Sequence, residues 1–395
     1  MSSANYVQLA SIPETTYGET PVAGNFDTVR FISEALSGTP DTVESQQIRT
    51  DRLSSGQVVV GLQVGGEMGF EFAKESTLEK FIESAMYSTW NVMALVSVDL
   101  TFVLATKLLT RAAGDWDAAG IKVGDFLTLA GFSASGNNTV VMVTEIQSAT
   151  VVKVSIPVGM SDEVGTGTSY KRADKIEIGT TKKSFSMEKK FTDLTDKGIV
   201  YRGMIVSQWD LNVAFGELIS GSFTFSGNDY ETVDVAADFI TFGRTLNAAA
   251  TTNTFNGSVD MPFLASSAVG TLDNSVLDLQ SVSLSLNNNV NPQNVIGDIA
   301  PKDYTPGTAQ ISMELAAYLT DAGWDILGKK LTQESFALGF MVKNGGGWYG
   351  FFIPAIQVSF EDPAAGGANQ DVLLNMTGAA KVGDNGEKSL AIYRS

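Results

Sequence analysis

Glu67-Met68-Gly69-Phe70-Glu71-Phe72 alternates polar and apolar residues, the period of a half-buried β-strand. It leads straight into a stretch with Leu78, Phe81, Ile82, Ala85 and Met86 on one helical face. Gln310-Ile311-Ser312-Met313-Glu314-Leu315 alternates the same way, and Leu319, Ala322, Ile326 and Leu327 follow at helical spacing, with Gly328 as a stop. Three further stretches are answered in the same order. Ser184-Phe185-Ser186-Met187 is matched by Ser335-Phe336-Ala337-Leu338, and Tyr201-Arg202-Gly203-Met204-Ile205-Val206 by Trp348-Tyr349-Gly350-Phe351-Phe352-Ile353. Gly221-Ser222-Phe223-Thr224-Phe225-Ser226-Gly227 is matched by Val372-Leu373-Leu374-Asn375-Met376-Thr377-Gly378. The pattern predicts one fold present twice, each copy with about five or six strands and one helix.

Outward from these anchors, Val29–Leu36 reads as a strand and the polar stretch from Ser37 to Gln57 as a long loop. Ser76 is the expected cap of the first helix, with Glu79 at the reciprocal position. Leu279-Gln280-Ser281-Val282-Ser283-Leu284-Ser285-Leu286 is another alternating strand, and Asn287–Gly307, with three prolines, is a second long loop. Between the first helix and Ser184 lies material without a counterpart in the second half. Its short apolar runs, from Trp116 to Ile156, are punctuated by glycines and predict a small all-β domain inserted at a surface loop. The expected organisation is therefore a first unit in residues 1–100 and 176–240, an insert at 101–175, a linker at 241–275 that includes Ala248-Ala249-Ala250-Thr251-Thr252-Asn253, and a second unit at 276–395.

At 395 residues, 44% of them hydrophobic, the chain can fill two or three cores. It has neither cysteine nor histidine, which removes thiolate chemistry, disulfides and the usual general base and zinc ligand. Most enzyme mechanisms are thereby excluded, and no cofactor is expected. The N-terminal residues carry no basic start or apolar core, so no secretion signal is expected, and the apolar stretch Trp90–Leu109 is interrupted by Asn91, Asp99 and Lys107, which argues against membrane insertion. The net charge of −18 is uneven. Residues 1–100 hold 5 basic and 13 acidic side chains, giving −8, residues 101–175 hold 7 and 7, and residues 176–395 hold 14 and 24, giving −10. Solubility alone accounts for such a balance; it also suits a surface that lets nucleic acid pass without binding, because binding needs cations to displace counterions from phosphates.

Other motifs have plain readings. Gly345, Gly347 and Gly350 have dinucleotide-loop spacing but run into a strand, so they mark a tight turn. Asp115-Trp116-Asp117 and Glu361-Asp362 lack calcium-loop spacing. Trp209, Trp348, Tyr349, Phe351 and Phe352 offer a sugar-stacking platform on one reading and a core or subunit interface on the other. The apolar strand positions Phe70, Phe72, Met204, Trp209, Ile311, Met313, Phe351 and Ile353 are assigned to core or inter-subunit packing. The two long loops, each joining the first two strands of its unit, are assigned to contact with another subunit through Ile48, Arg49, Asp51, Arg52, Asn289, Pro292 and Asp298.

The order of these pieces resembles the major tail tube proteins of long-tailed bacteriophages with non-contractile tails. The residues that carry the resemblance are Glu34 with Ile48-Arg49-Thr50-Asp51-Arg52, Gly66–Phe72, Phe185-Ser186-Met187-Glu188-Lys189 with Tyr201–Met204, and Leu286-Asn287-Asn288-Asn289. The insert beginning Gly114-Asp115-Trp116-Asp117 is similar to an extra domain in some members. The resemblance implies a mainly β chain: two tandem tube-type β-sandwich or barrel units, each with one flanking helix, plus the small β insert. It further implies self-association into stacked rings, other tail proteins as partners, passage of DNA without specific binding, and a place in the virion tail after assembly in the host cytoplasm. Most members supply one unit per chain and form hexamers, so two units predict a trimeric ring. The alternatives are a secreted or surface β-rich binding protein, a carboxylate-dependent hydrolase, and a tube protein of a bacterial secretion machine.

Overall fold

The computed structural model describes residues 2–48, 50, 51, 53, 56–155, 159–249, 254–258, 263–267, 273, 274, 278–328, 335–345, 347–365, 367–383 and 386–395. The chain is mainly β. Its first half supplies β1 (Val7–Pro13), β2 (Phe26–Val29), β3 (Ser37–Glu44), β4 (Gln57–Glu71), helix α1 (Ser76–Ala85), β5 (Phe185–Phe191), β6 (Lys197–Ala214), β7 (Ser220–Gly227) and β8 (Asp229–Val233). The second half supplies β9 (Phe263–Ser267), β10 (Asp273–Asn274), β11 (Leu279–Asn287), β12 (Gln310–Tyr318), helix α2 (Asp321–Gly328), β13 (Phe336–Asn344), β14 (Gly347–Phe360), β15 (Leu373–Ala380) and β16 (Ala391–Arg394).

Seven antiparallel pairings of the first half, β1–β2, β1–β5, β5–β6, β6–β8, β6–β7, β4–β7 and β3–β4, have seven counterparts in β9–β10, β9–β13, β13–β14, β14–β16, β14–β15, β12–β15 and β11–β12. Both hairpins shift register at the same place, between Phe185 and Met187 in β5 and between Phe336 and Leu338 in β13. An extra residue bends the strand that carries it. β6 and β14 accordingly each serve two partners sets, their first parts β5 with β8 and β13 with β16, their last parts β7 and β15. Two antiparallel pairings tie the first part of the chain to the second: Asp174–Glu177 lies against β16, and the last part of β6 lies against β11, from Gln208 opposite Asn287 to Ala214 opposite Ser281. The result is an eight-stranded array in the order β3-β4-β7-β6-β11-β12-β15-β14, which no further strand pairing among the described residues closes into a barrel.

The core lies on the inner face of this array. Met68 and Phe70 of β4, Phe223 and Phe225 of β7, Leu284 and Leu286 of β11, and Met313 and Leu315 of β12 all project there and are buried. Phe81 of α1 joins the layers, its ring 4.9 Å from that of Phe185 and 5.6 and 5.2 Å from those of Phe223 and Phe225. Burial of several such side chains, at roughly 1.5–3 kcal/mol each, outweighs the modest intrinsic propensity of a short helix. Helix α1 begins differently from expectation. Glu75, not Ser76, is the capping residue, and its side chain makes no cap hydrogen bond. The Glu79 carboxylate is engaged elsewhere: it accepts a 2.8 Å hydrogen bond from the Tyr349 hydroxyl and pairs with Arg394, tying α1 to β14 and β16. Tyr87, at φ 48°, follows the last turn.

Glu75 is buried, its Oε1 has no partner, and desolvation together with nearby Asp27, opposed by Arg30, raises its carboxyl to about 7 from 4.5. Because the folded value is the higher one, the associated stability is full below pH 4.5 and is lost as pH rises through 7. Glu75→Gln should therefore leave stability unchanged near pH 4 and raise it by roughly 3 kcal/mol at pH 8. Urea unfolding of both proteins across that range checks this; equal stabilities at pH 8 would show that the carboxyl does not resist ionisation.

Further sequence readings are corrected. Val29–Leu36 is not one strand: β2 ends at Val29, and only Ser33–Glu34 rejoins the sheet, opposite Gly69 and Met68 of β4. Ser37–Glu44 is a strand rather than loop, paired with β4 along its length. Its polar and glycine-proline composition hides it because all of it but Gly38, which lies under the Tyr230 ring, is exposed. Residues 241–275 are not merely linker: β9 lies within them and pairs with β13 from Phe263 opposite Met341. The correspondence of Tyr201 with Trp348 is also out of step. Tyr201 lies opposite Met187 and Ile353 opposite Leu338, so Ile353 takes the place of Tyr201, because the β5–β6 hairpin is longer than the tight Asn344–Gly347 turn. The turn itself, with Gly347 at φ 140°, is as expected. Ala250, Thr251, Thr252 and Asn253, Ile156, and the side chains of Ala322 and Ile326 lie outside the described residues.

Eight strands between Val96 and Arg172 form a separate sheet with its own core of Trp116, Leu127, Val141, Val143, Val152 and Tyr170. This sheet docks on the second half, where Phe126 and Met142 pack with Met341, Trp348, Phe352 and Tyr393. At the junction Asp125 is fully buried, accepting a 2.9 Å hydrogen bond from the Tyr393 hydroxyl and lying 3.1 Å from Lys175.

Candidate functional site: a polar sheet face and two strand edges

The outer face of the eight-stranded array follows from the same alternation that builds the core. Gln63, Glu67 and Glu71 of β4, Gln208, Asp210 and Asn212 of β6, and Ser220, Ser222, Thr224 and Ser226 of β7 point outward. So do Ser281, Ser283, Ser285 and Asn287 of β11, Ser312 and Glu314 of β12, and Asn375 and Thr377 of β15. These side chains line a shallow trough that includes Glu67, Asp210, Ser283, Glu314 and Thr377. No lysine or arginine occupies any of these positions. Asp210 is instead held by neutral groups, accepting a 2.9 Å hydrogen bond from Gln208 Nε2 and a 3.5 Å contact from Ser222 Oγ. Ser283 donates to Asn212 Oδ1 at 2.8 Å across the β6–β11 junction. The face is thus hydroxyl- and amide-rich and acidic. Sequence reasoning found the acidic excess but not its placement; the regular serine spacing of 281, 283 and 285 was the available signal.

The array ends in two edges. β3 is exposed apart from Gly38, and no strand among the described residues pairs on its far side. The last part of β14, Ile356–Phe360, pairs with β15 on one side and, among the described residues, with no strand on the other. Unpaired strand edges are templates for association, and β3 carries Pro40 and Asp41, residue types that guard such edges.

The two long loops behave differently. The β3–β4 hairpin projects beyond the array with Val43, Ile48, Leu53, Val58, Val59 and Val60 exposed. Ile48 is fully exposed at its tip, and Asp51 accepts a hydrogen bond from the Leu53 amide; Arg49 and Arg52 lie outside the described residues. The Asn287–Gly307 loop is anchored on its own chain. Pro292 lies opposite Tyr304 in a short hairpin, the Tyr304 hydroxyl donates to the Gly227 carbonyl at 3.0 Å, Asp303 pairs with Lys182, and the Leu62 amide donates to the Ile299 carbonyl at 2.7 Å. Asn289 sits at φ 45° and donates through Nδ2 to the Thr308 carbonyl, while exposed Asp298 accepts from the Ala300 amide. The structure therefore brings this loop to β4, while Ile48 stays fully exposed at the hairpin tip.

Phe70, Phe72, Met204, Trp209, Ile311, Met313, Phe351 and Ile353 all lie in one core cluster of the single chain. Trp348, Tyr349 and Phe352 are buried as well, so this group presents no platform for stacking a sugar. Asp115 caps its own turn, accepting from the Asp117 amide at 2.8 Å. Among the described residues no group of three or more acidic side chains could hold a metal ion, and no helix is long and apolar enough to cross a membrane.

An open β array with two exposed edges and a polar, acidic face defines a structural, assembly-forming protein rather than a binding pocket. Residues 4–380 match the family described as phage tail tube protein, and the chain belongs to that family. Its role is accordingly structural, in the virion tail. No curated protein matches the chain.

Proposed function

We propose that the chain is two tube units in tandem, and that three chains close a ring whose inner wall is the acidic sheet face. The observation that carries this reading is the array itself: four strands from each half, joined by β6–β11, with the same pairings on both sides of that junction. Three copies supply three times eight strands, beyond the roughly 16–18 that already enclose an aqueous channel in porins. Rings stack into the conduit for DNA delivery. A hydroxyl-rich wall without cations offers phosphates no counterion release, so DNA slides past without sticking. The sheet formed by residues 96–172 is an insert that lies outside the wall, since it docks on β13, β14 and β16 rather than on the polar face. Assembly takes place in the host cytoplasm alongside other tail proteins.

The ring is tested by electron microscopy and mass measurement of the purified protein. Three chains per ring, with six similar lobes inside, is the expected result; six chains per ring, or a protein that stays monomeric under all conditions, overturns the reading.

A further inference from the structure

The junction between the halves is a template for the junction between chains. β6 has β7 on one side and β11 on the other, whereas its counterpart β14 has β15 on one side and, among the described residues, no strand on the other. β11 has β12 and β6, whereas its counterpart β3 has, among the described residues, only β4. The two vacant edges are therefore those that the internal junction joins. We propose that the last part of β14 pairs antiparallel with β3 of a second copy, in the register that β6 and β11 already show. This rests on the ring reading above and adds to it the identity of the edges and their alignment.

The register follows from matched pairs. Met204 opposite Phe185 corresponds to Ile356 opposite Phe336, which sets β14 against β6. β6 carries one more irregularity, between Val206 and Gln208, so Gln208 opposite Thr224 corresponds to Ser359 opposite Thr377. On the other edge, Gly65 pairs with Ser226 and Ser37, as Ser312 pairs with Ala379 and Ser285, so Thr39 takes the place of Asn287. The pair Gln208–Asn287 thus becomes Ser359 with the second copy's Thr39, and Asp210–Ser285 becomes Glu361 with its Ser37. Glu361 then extends the acidic face across the seam at the place Asp210 holds inside the chain. The seam between chains is shorter than the internal one. β6 remains strand to Ala214, but β14 ends at Phe360, and Pro363 supplies no amide hydrogen to continue a ladder.

The absence of native cysteine allows a direct test by oxidative cross-linking of assembled rings. Ser359→Cys with Thr39→Cys should give covalent dimers and closed trimers on non-reducing gels. Ser359→Cys with Asp41→Cys, displaced by two residues, should not, because diagonal partners lie about 7–8 Å apart, beyond ordinary disulfide reach of about 7 Å. Gln208→Cys with Asn287→Cys, within one chain, reports that folding and oxidation are intact. Rings that cross-link only in the displaced pair, or in neither pair while the internal control forms, overturn the register and leave the ring reading standing. Failure of all variants and of the native chain to form rings overturns both.

Discussion

Trp209→Ala should lower the unfolding free energy by about 3–5 kcal/mol, the range for a large buried aromatic removed without collapse of its cavity. Trp209 is fully buried on the last part of β6, opposite Leu286 of β11, with its ring 6.3 Å from that of Phe223 and 6.5 Å from that of Phe351. The side chain is thus a shared wall of both halves, and the void left by alanine lies beneath the strand pairing that joins them. Trp209→Phe provides the discriminating comparison. The indole Nε1 is buried with no hydrogen-bond partner, so phenylalanine removes an unsatisfied donor while keeping most of the apolar contact. Its cost should stay below about 1.5 kcal/mol. Urea unfolding, read as a shift in midpoint at constant slope, measures both. A Trp209→Ala protein within about 1 kcal/mol of the native one would show that the halves do not share a core there.

The second large effect concerns assembly and not folding. Replacing residues 45–56 by Asn-Gly should leave rings intact but abolish tubes longer than a ring or two. Glu44 lies opposite Gln57, so a two-residue turn closes the hairpin without disturbing β3 or β4. The change removes Ile48, Asp51 and Leu53, exposed groups that make no core contact in the single chain. Length distributions by negative-stain microscopy decide the matter, and tubes of native length would remove the hairpin tip from any role in stacking. Cutting back to residue 37, by contrast, takes away β3 and with it an edge of the array. The strand character of Ser37–Glu44 is what separates the two experiments.

Much of the architecture was legible where one face of an element is buried. β11 and β12 alternate cleanly because their inner residues meet a core and their outer ones do not, and α1 shows its apolar stripe for the same reason. β3 was illegible because, apart from Gly38 beneath the Tyr230 ring, its residues are exposed on both faces, so composition alone made it look like loop. The strand within the expected linker was missed as well: β9 is defined by its backbone pairing with β13, between residues as distant in sequence as Phe263 and Met341. The out-of-step match of Tyr201 with Trp348 came from comparing aromatic and glycine content, while true register depends on hairpin length and on the bulges near Phe185 and Phe336. The candidate wall was visible only as an overall acidic balance. Its position required knowing that Gln208, Asp210 and Asn212 share a face with Ser283, Ser285 and Glu314.

The β6–β11 ladder also has a kinetic consequence. Where both partners belong to one polypeptide, their meeting is governed by a tether and not by dilution, an advantage equivalent to effective concentrations on the order of millimolar. In the proposed three-chain ring, half of the unit-to-unit junctions would be established during folding, before any collision between molecules. Nucleation requires fewer simultaneous encounters than for single-unit chains, so polymerisation should start at lower protein concentration. Dismantling, when it happens, should begin at the intermolecular joints.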